Sequence, residues 1–317
     1  MKLLPENRWV LFKLGTMVLI LILLGRYIVN HLNDFAAIRN IGLRDTLILV
    51  VLQMILIFTG AAQFHVVVKM FGCLIAYPRW LLIYVHARLL NLLVPQSGNA
   101  YRATALKINH QFSITAYGVA LITFSYLNSL TALILTWLTV LLVDINLRIR
   151  GELLVEWLGL AVIGAIIVSA LMVRCQAMMA ERWGAENGKL VTLARVLKDL
   201  SFSLRGLKCV SQVFLIGLIG HILGLFMNWF CFVKLNVDVP ISHLALLRFA
   251  KNVTDSISIT PGNFGVRESM YAIINSETNG LVSAGIIVAA WSSIVSIVAS
   301  IVLGLLSFLF NSKKTAV

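Results

Sequence analysis

The sequence predicts an all-α membrane protein of about six spanning helices plus two re-entrant helical hairpins arranged as an inverted repeat. Three observations lead there. The first is composition: 60% of the 317 residues are hydrophobic and 12% are charged, with a mean hydropathy of +0.93, whereas soluble domains carry about 25% charged residues. The second is a set of apolar runs, 9–29, 47–68, 116–143, 153–173, 210–233 and 281–310, which reach or exceed the roughly 20 residues that cross a bilayer as a helix. The third is a pair of interruptions, Pro95-Gln96-Ser97-Gly98 and Pro261-Gly262-Asn263-Phe264-Gly265, each lying between spanning runs and each followed by an arginine, Arg102 and Arg267.

Charge placement orders these elements. Segment 174–208 holds seven Lys or Arg (Arg174, Arg182, Lys189, Arg195, Lys198, Arg205, Lys208) against three acids, which makes it cytoplasmic under the positive-inside rule. The basic start (Lys2, Arg8, Lys13) is also cytoplasmic. It is followed by no small-x-small cleavage site before Arg26, so run 9–29 is read as a retained helix rather than a signal peptide. Counting from these anchors places 31–45, 144–152 and 236–243 outside, and 69–79 and the tail with Lys313 and Lys314 inside. Residues 80–112 then have both flanks inside and either enter and leave on that side or stay at its surface, and residues 244–276 are a hairpin entered from outside.

Backbone interrupted by Pro and Gly survives at membrane depth only inside protein or against a cavity, which makes both segments hairpins. Their opposite senses are the mark of an inverted repeat, with a site expected where the discontinuous elements meet. The chain reads as one integral membrane domain, 1–317, with halves 1–150 and 151–317. The cytoplasmic loop 174–208 is a tether with a surface helix around 190–200.

Several functions are disfavoured. The net charge of +13 fits headgroup contact rather than nucleic acid, because no basic segment is interleaved with aromatics in a soluble fold. Cys73, Cys175, Cys209 and Cys231 show no paired spacing and read as small buried hydrophobes. The six histidines form no i, i+4 pair, so no metal is expected, and neither is any cofactor. With no metal-binding acidic cluster and no Ser-His or Cys-His arrangement, the chain is expected not to be an enzyme. The rival enzyme reading would use Asp255 or Glu268 as acid or base.

The candidate binding residues lie on the hairpins. Arg248, Lys251 and Asp255 stand at i, i+3 and i+7, along one helical face. Two readings fit them: a cationic stripe for an anionic headgroup, or snorkelling cations with Asp255 paired to Lys251. Arg267 and Glu268 open the half-helix after the second break, where free N–H groups and the helix dipole favour an anion and arginine adds bidentate phosphate geometry. Glu268 is alternatively a capping carboxylate. In the first hairpin Arg88 and His86 precede the break and Arg102 follows it, in the position equivalent to Arg267. The breaks themselves are set by Pro95, Gly98, Pro261, Gly262 and Gly265. A face of small residues in the last helix, Ala289, Ser293, Ser296 and Ser300, allows close packing. A polar band at Ser125, Tyr126, Asn128, Ser129 and Thr131 is read as interhelical hydrogen bonding or a cavity lining.

The motifs Asn91-Leu92-Leu93-Val94-Pro95-Gln96-Ser97-Gly98 through Arg102, and Pro261-Gly262-Asn263-Phe264-Gly265-Val266-Arg267-Glu268, resemble the transmembrane region of bacterial lysylphosphatidylglycerol synthases and their flippase-like relatives, over nearly all of the chain. The resemblance implies movement of a lipid between leaflets of the inner membrane, an anionic phospholipid or a polyprenyl-phosphate-linked lipid. It equally allows service to a lipid-linked glycan pathway beside a membrane glycosyltransferase. No soluble aminoacyl-transferase domain is expected within these residues, so lysyl transfer is not. The sequence departs from the family pattern at Asn99, where many members carry an acid, and at Asn263, where many carry a further Gly.

Overall fold

The computed structural model describes residues 41–94, 96–144, 148–149, 152–167, 204–257, 263, 265–278 and 280–312. Among these, nine helices form: α1 (Leu43–Met70), α2 (Tyr77–Leu93), α3 (Ser97–His110), α4 (Ile114–Val143), α5 (Leu154–Ile167), α6 (Leu204–Lys234), α7 (Ile241–Ile257), α8 (Val266–Glu277) and α9 (Val282–Ser312). A two-residue antiparallel ladder, Arg148–Ile149 with Glu152–Leu153, precedes α5. The protein is an all-α membrane protein, and α1, α4, α6 and α9 are long and apolar enough to cross a bilayer. Of the six expected spans, run 9–29 lies outside the described residues. Run 153–173 is described as helix over Leu154–Ile167. The basic segment is described only from Leu204, where α6 begins ahead of its apolar run, and the expected surface helix at 190–200 lies outside the described residues.

Helix ends follow local chemistry. Ser113 caps α4 from extended geometry, its hydroxyl accepting the Ala116 N–H at 3.1 Å. After α1 the chain turns at Gly72 with φ +92°, and the Cys73 N–H reaches back to the Val68 carbonyl. That six-to-one bond closes a Schellman-type end, for which a left-handed residue is required.

The residues fall into two compact units. One contains 56–84 and the described part of 99–223. Its apolar centre is Phe64, stacked on Phe124 with centroids 4.5 Å apart and edge-on to Trp80 at 5.2 Å. Trp80 donates its indole N–H to the Ala61 carbonyl at 2.7 Å, so its polar edge is satisfied in the core. Here too, the polar band of α4 serves as interhelical contact. Tyr126 donates to the Ala165 carbonyl at 3.2 Å, and Thr131 is buried against the bare face at Gly217.

The other unit contains 41–55, 85–98 and 224–312 among the described residues. Lys234 at the end of α6 pairs with Asp45 at the start of α1, 3.0 Å apart, so these two helix ends meet. In the second hairpin, α7 packs on α8 and α8 on α9. The Thr278 hydroxyl after α8 meets the His243 ring at the start of α7, at 3.0 Å from Nδ1. The chain therefore leaves the hairpin beside the point where it entered.

Candidate functional site

The far end of the second hairpin is held by charge. Asp255, in the last turns of α7, accepts from Lys251 Nζ at 3.1 Å and from Arg267 Nη2 at 2.6 Å. The first pairing is the i, i+4 spacing of one helix face. The second bridges the break, from α7 to the first turn of α8. The Asn263 amide also donates to Asp255, at 3.3 Å. The side chains of Lys251 and Arg267 are 7% and 3% exposed, whereas that of Asp255 is 37% exposed. The carboxylate is thus the open member of a triad whose cations are buried.

The break is shaped by two left-handed residues. Gly265 has φ +81°, a region where a side chain is penalised. Asn263 has φ +59°, which asparagine tolerates better than most residues. Gly265→Ala should lower stability by about 1–2 kcal/mol, whereas Asn263→Gly should keep the turn and lose only the bond to Asp255. Thermal unfolding in detergent compares them, and equal losses would mean that the backbone conformation is not what selects these residues.

Glu268 takes the capping role open to it. Its Oε2 accepts the Gly265 N–H at 2.7 Å, and its Oε1 accepts the Ser293 hydroxyl at 3.0 Å. Ser293 in turn accepts from Arg267 Nη1 at 2.9 Å. Arg267, Ser293 and Glu268 therefore form a buried relay that fixes the start of α8 to α9.

Arg248 does not simply snorkel. Its guanidinium lies across the bare face of α6 at Gly224, where any Cβ would collide with it, and it sits within electrostatic reach of Asp255 and Tyr271. Lys251 is likewise no snorkelling cation, being buried against Asp255. Arg88, on α2, belongs to the same unit, and its charge acts on both Lys251 and Asp255. The structure thus brings Arg88, Arg248, Lys251, Asp255, Arg267 and Glu268 into one unit.

Arg102 lies in the other unit, 8% exposed. It is set over the rings of Phe64 and Tyr84 at 5.1 and 5.3 Å and donates to Asn99 Oδ1 at 2.6 Å. This protein balances the arginine with a neutral amide and two aromatic faces. Gly98 lets the start of α3 rest on α2, since a Cβ there would fall onto the Ala87 carbonyl. The Gly98 N–H is taken by Asn91 Oδ1 at 2.7 Å. Pro95, Pro261 and Gly262 lie outside the described residues.

The partners of the last helix went unrecognised in the sequence. Ser296 and Ser300, which read there as small packing residues, accept from Arg88 at 2.7 and 3.0 Å, and Ser307 contacts His86 at 2.8 Å. The signal was the recurrence of serine at 293, 296, 300 and 307, spacings that keep one helix face. Among the described residues no group of three or more His, Cys, Asp or Glu is placed to hold a metal ion.

The model of a family described as lysylphosphatidylglycerol synthase TM region matches residues 10–304. No curated protein and no solved structure matches. The matched span holds both hairpins and both arginine-bearing breaks, and the chain belongs to the lysylphosphatidylglycerol synthase transmembrane-region family, whose setting is the membrane and whose function is lipid-related.

Proposed function

We propose that this protein carries a lipid with an anionic headgroup, an anionic phospholipid or a polyprenyl-phosphate-linked lipid, between the leaflets of a bacterial cytoplasmic membrane. In this reading it is a multi-pass transporter with both termini cytoplasmic, and not an enzyme. The observation that carries the reading is the Lys251–Asp255–Arg267 triad at the interrupted end of a re-entrant hairpin. Two buried cations share one carboxylate on their open side. A headgroup phosphate offers the same charge and better bidentate geometry to arginine, so it can take the place of Asp255 as their counter-ion.

Both acids that an enzyme would need are already engaged, Asp255 by two cations and Glu268 by the Gly265 N–H and Ser293. This favours binding over acid–base chemistry. No GxxxxGK[ST] loop occurs in the sequence, so transport would run downhill or on an ion gradient.

The test is purified protein in liposomes without ATP or any partner. A labelled anionic phospholipid or polyprenyl-phosphate lipid is expected to cross faster than in empty liposomes. At matched amounts of folded protein, Arg102→Ala with Arg267→Ala should return the rate to background, and Arg267→Lys should keep part of it, since lysine retains charge but not the two-pronged geometry. Chemical conversion of the lipid would replace transport with catalysis. No movement of either lipid, alongside stable copurification with a glycosyltransferase, would make the protein a partner in glycan assembly.

A further inference from the structure

Arg88 is held by hydroxyls, whereas Lys234, Lys251 and Arg267 in the same unit pair with carboxylates. Its Nε donates to Ser300 Oγ at 3.0 Å and its Nη2 to Ser296 Oγ at 2.7 Å. Ser300 commits its own O–H to the Ser296 carbonyl at 2.7 Å, so the lone pairs of its oxygen are what it offers the arginine. Ser296 and Ser300 stand one turn apart on one face of α9 and are both buried. Together they clamp one edge of the guanidinium fork and set its plane.

Two hydroxyls satisfy donors but supply no charge. Lys251 and Arg267 share Asp255, and Lys234 has Asp45, yet among the described residues no carboxylate lies within ion-pair distance of Arg88. A cation kept at membrane depth costs several kcal/mol unless something compensates it. Asp255 lies within electrostatic reach of Arg88 but beyond ion-pair distance and is shared by Lys251 and Arg267, so the clamp orients an arginine whose charge is only partly balanced. The field of Arg88 reaches Lys251 and Asp255, so an anion received there lies within reach of the triad.

We propose that Arg88, braced by Ser296 and Ser300, is a receiving station for one phosphate group, separate from the Arg267–Asp255–Lys251 pairing. The assignment of that phosphate to a lipid headgroup rests on the function proposed above. Because the one carboxylate within reach, Asp255, is already paired with Lys251 and Arg267, the neighbourhood is net cationic and the station takes a phosphate without an adjoining ammonium. Arg88 supplies the charge; Ser296 and Ser300 are positioning residues that act through it.

Binding to the full chain in detergent tests the station without requiring transport. The probes are short-chain phosphatidic acid, short-chain phosphatidylcholine and inorganic phosphate, followed by calorimetry. Phosphatidic acid is expected to bind and phosphatidylcholine to bind at least tenfold more weakly. Arg88→Gln should weaken phosphatidic acid about tenfold or more, the loss of one charge-assisted contact. The double variant Ser296→Ala, Ser300→Ala should weaken it several-fold with the charge still present, and Ser296→Thr with Ser300→Thr should restore it.

Unchanged affinity in Arg88→Gln overturns the proposal, as does a loss in the alanine pair that threonine does not rescue. Equal competition by inorganic phosphate supports the phosphate station and makes its occupant a free anion rather than a lipid. Binding that depends on Arg88 in a protein that moves no lipid would refute the transport reading alone, and transport with Arg88-independent binding would refute the station alone.

Discussion

Asp255→Ala is expected to be among the most damaging single substitutions in this protein, because it removes the carboxylate that two buried cations, Lys251 and Arg267, share, with Glu268 still within electrostatic reach of Arg267. Removing one partner of a buried pair costs about 3–5 kcal/mol. The 37% exposure of the Asp255 side chain places the expectation toward the lower end, at about 2–4 kcal/mol. Arg267→Met should cost less, since Asp255 keeps Lys251 as a partner. The double variant Asp255→Ala, Arg267→Met should recover part of the loss, because only one unpaired cation remains. A double-mutant cycle on thermal unfolding in detergent separates the terms. If the double variant loses as much as the sum of the two singles, Asp255 and Arg267 are not energetically coupled and the bridge across the break holds nothing together.

Gly98→Ala should be comparably damaging for a steric reason. The added methyl would fall onto the Ala87 carbonyl, and backbone cannot rotate away as a side chain can, so α3 would have to separate from α2. Overpacking of this kind costs about 1–3 kcal/mol and more where backbone must shift. It would also weaken the Gly98 N–H bond to Asn91. Gly118→Ala is the control, with nothing within 4 Å of the new Cβ. Inside α4 it should be neutral or stabilise by up to about 1 kcal/mol, as alanine replaces glycine in a helix. Thermal unfolding of the two variants reads the difference directly, and a Gly98→Ala protein as stable as Gly118→Ala would remove the close approach as the reason for glycine in the first break.

Much of the frame was legible without coordinates, because the bilayer imposes simple rules. A thickness that demands about 20 apolar residues marked the runs that became α1, α4, α6 and α9. The absence of water to satisfy free backbone marked 95–98 and 261–265 as breaks, and α2–α3 and α7–α8 are the pairs flanking them. Glu268 as a cap was also readable, since it is the third residue after Gly265, where the helix opens.

What tertiary structure alone decided is which groups face one another across elements. The i, i+4 rule linked Lys251 to Asp255, but the bond from Arg267 to Asp255 crosses a break whose path depends on left-handed residues at 263 and 265, and no periodicity predicts it. Arg102 was placed by its motif, yet its aromatic surroundings come from Phe64 and Tyr84, which no local pattern connects to it. Ser296 and Ser300 showed a helical spacing that fits small packing residues equally well. They lie more than 200 residues from Arg88, and hydroxyls become receptors for a guanidinium only when the fold sets that arginine against them. Hydropathy and charge act along the chain and so are written in its order, whereas hydrogen bonds and ion pairs are short-ranged in space and are settled only when distant segments pack.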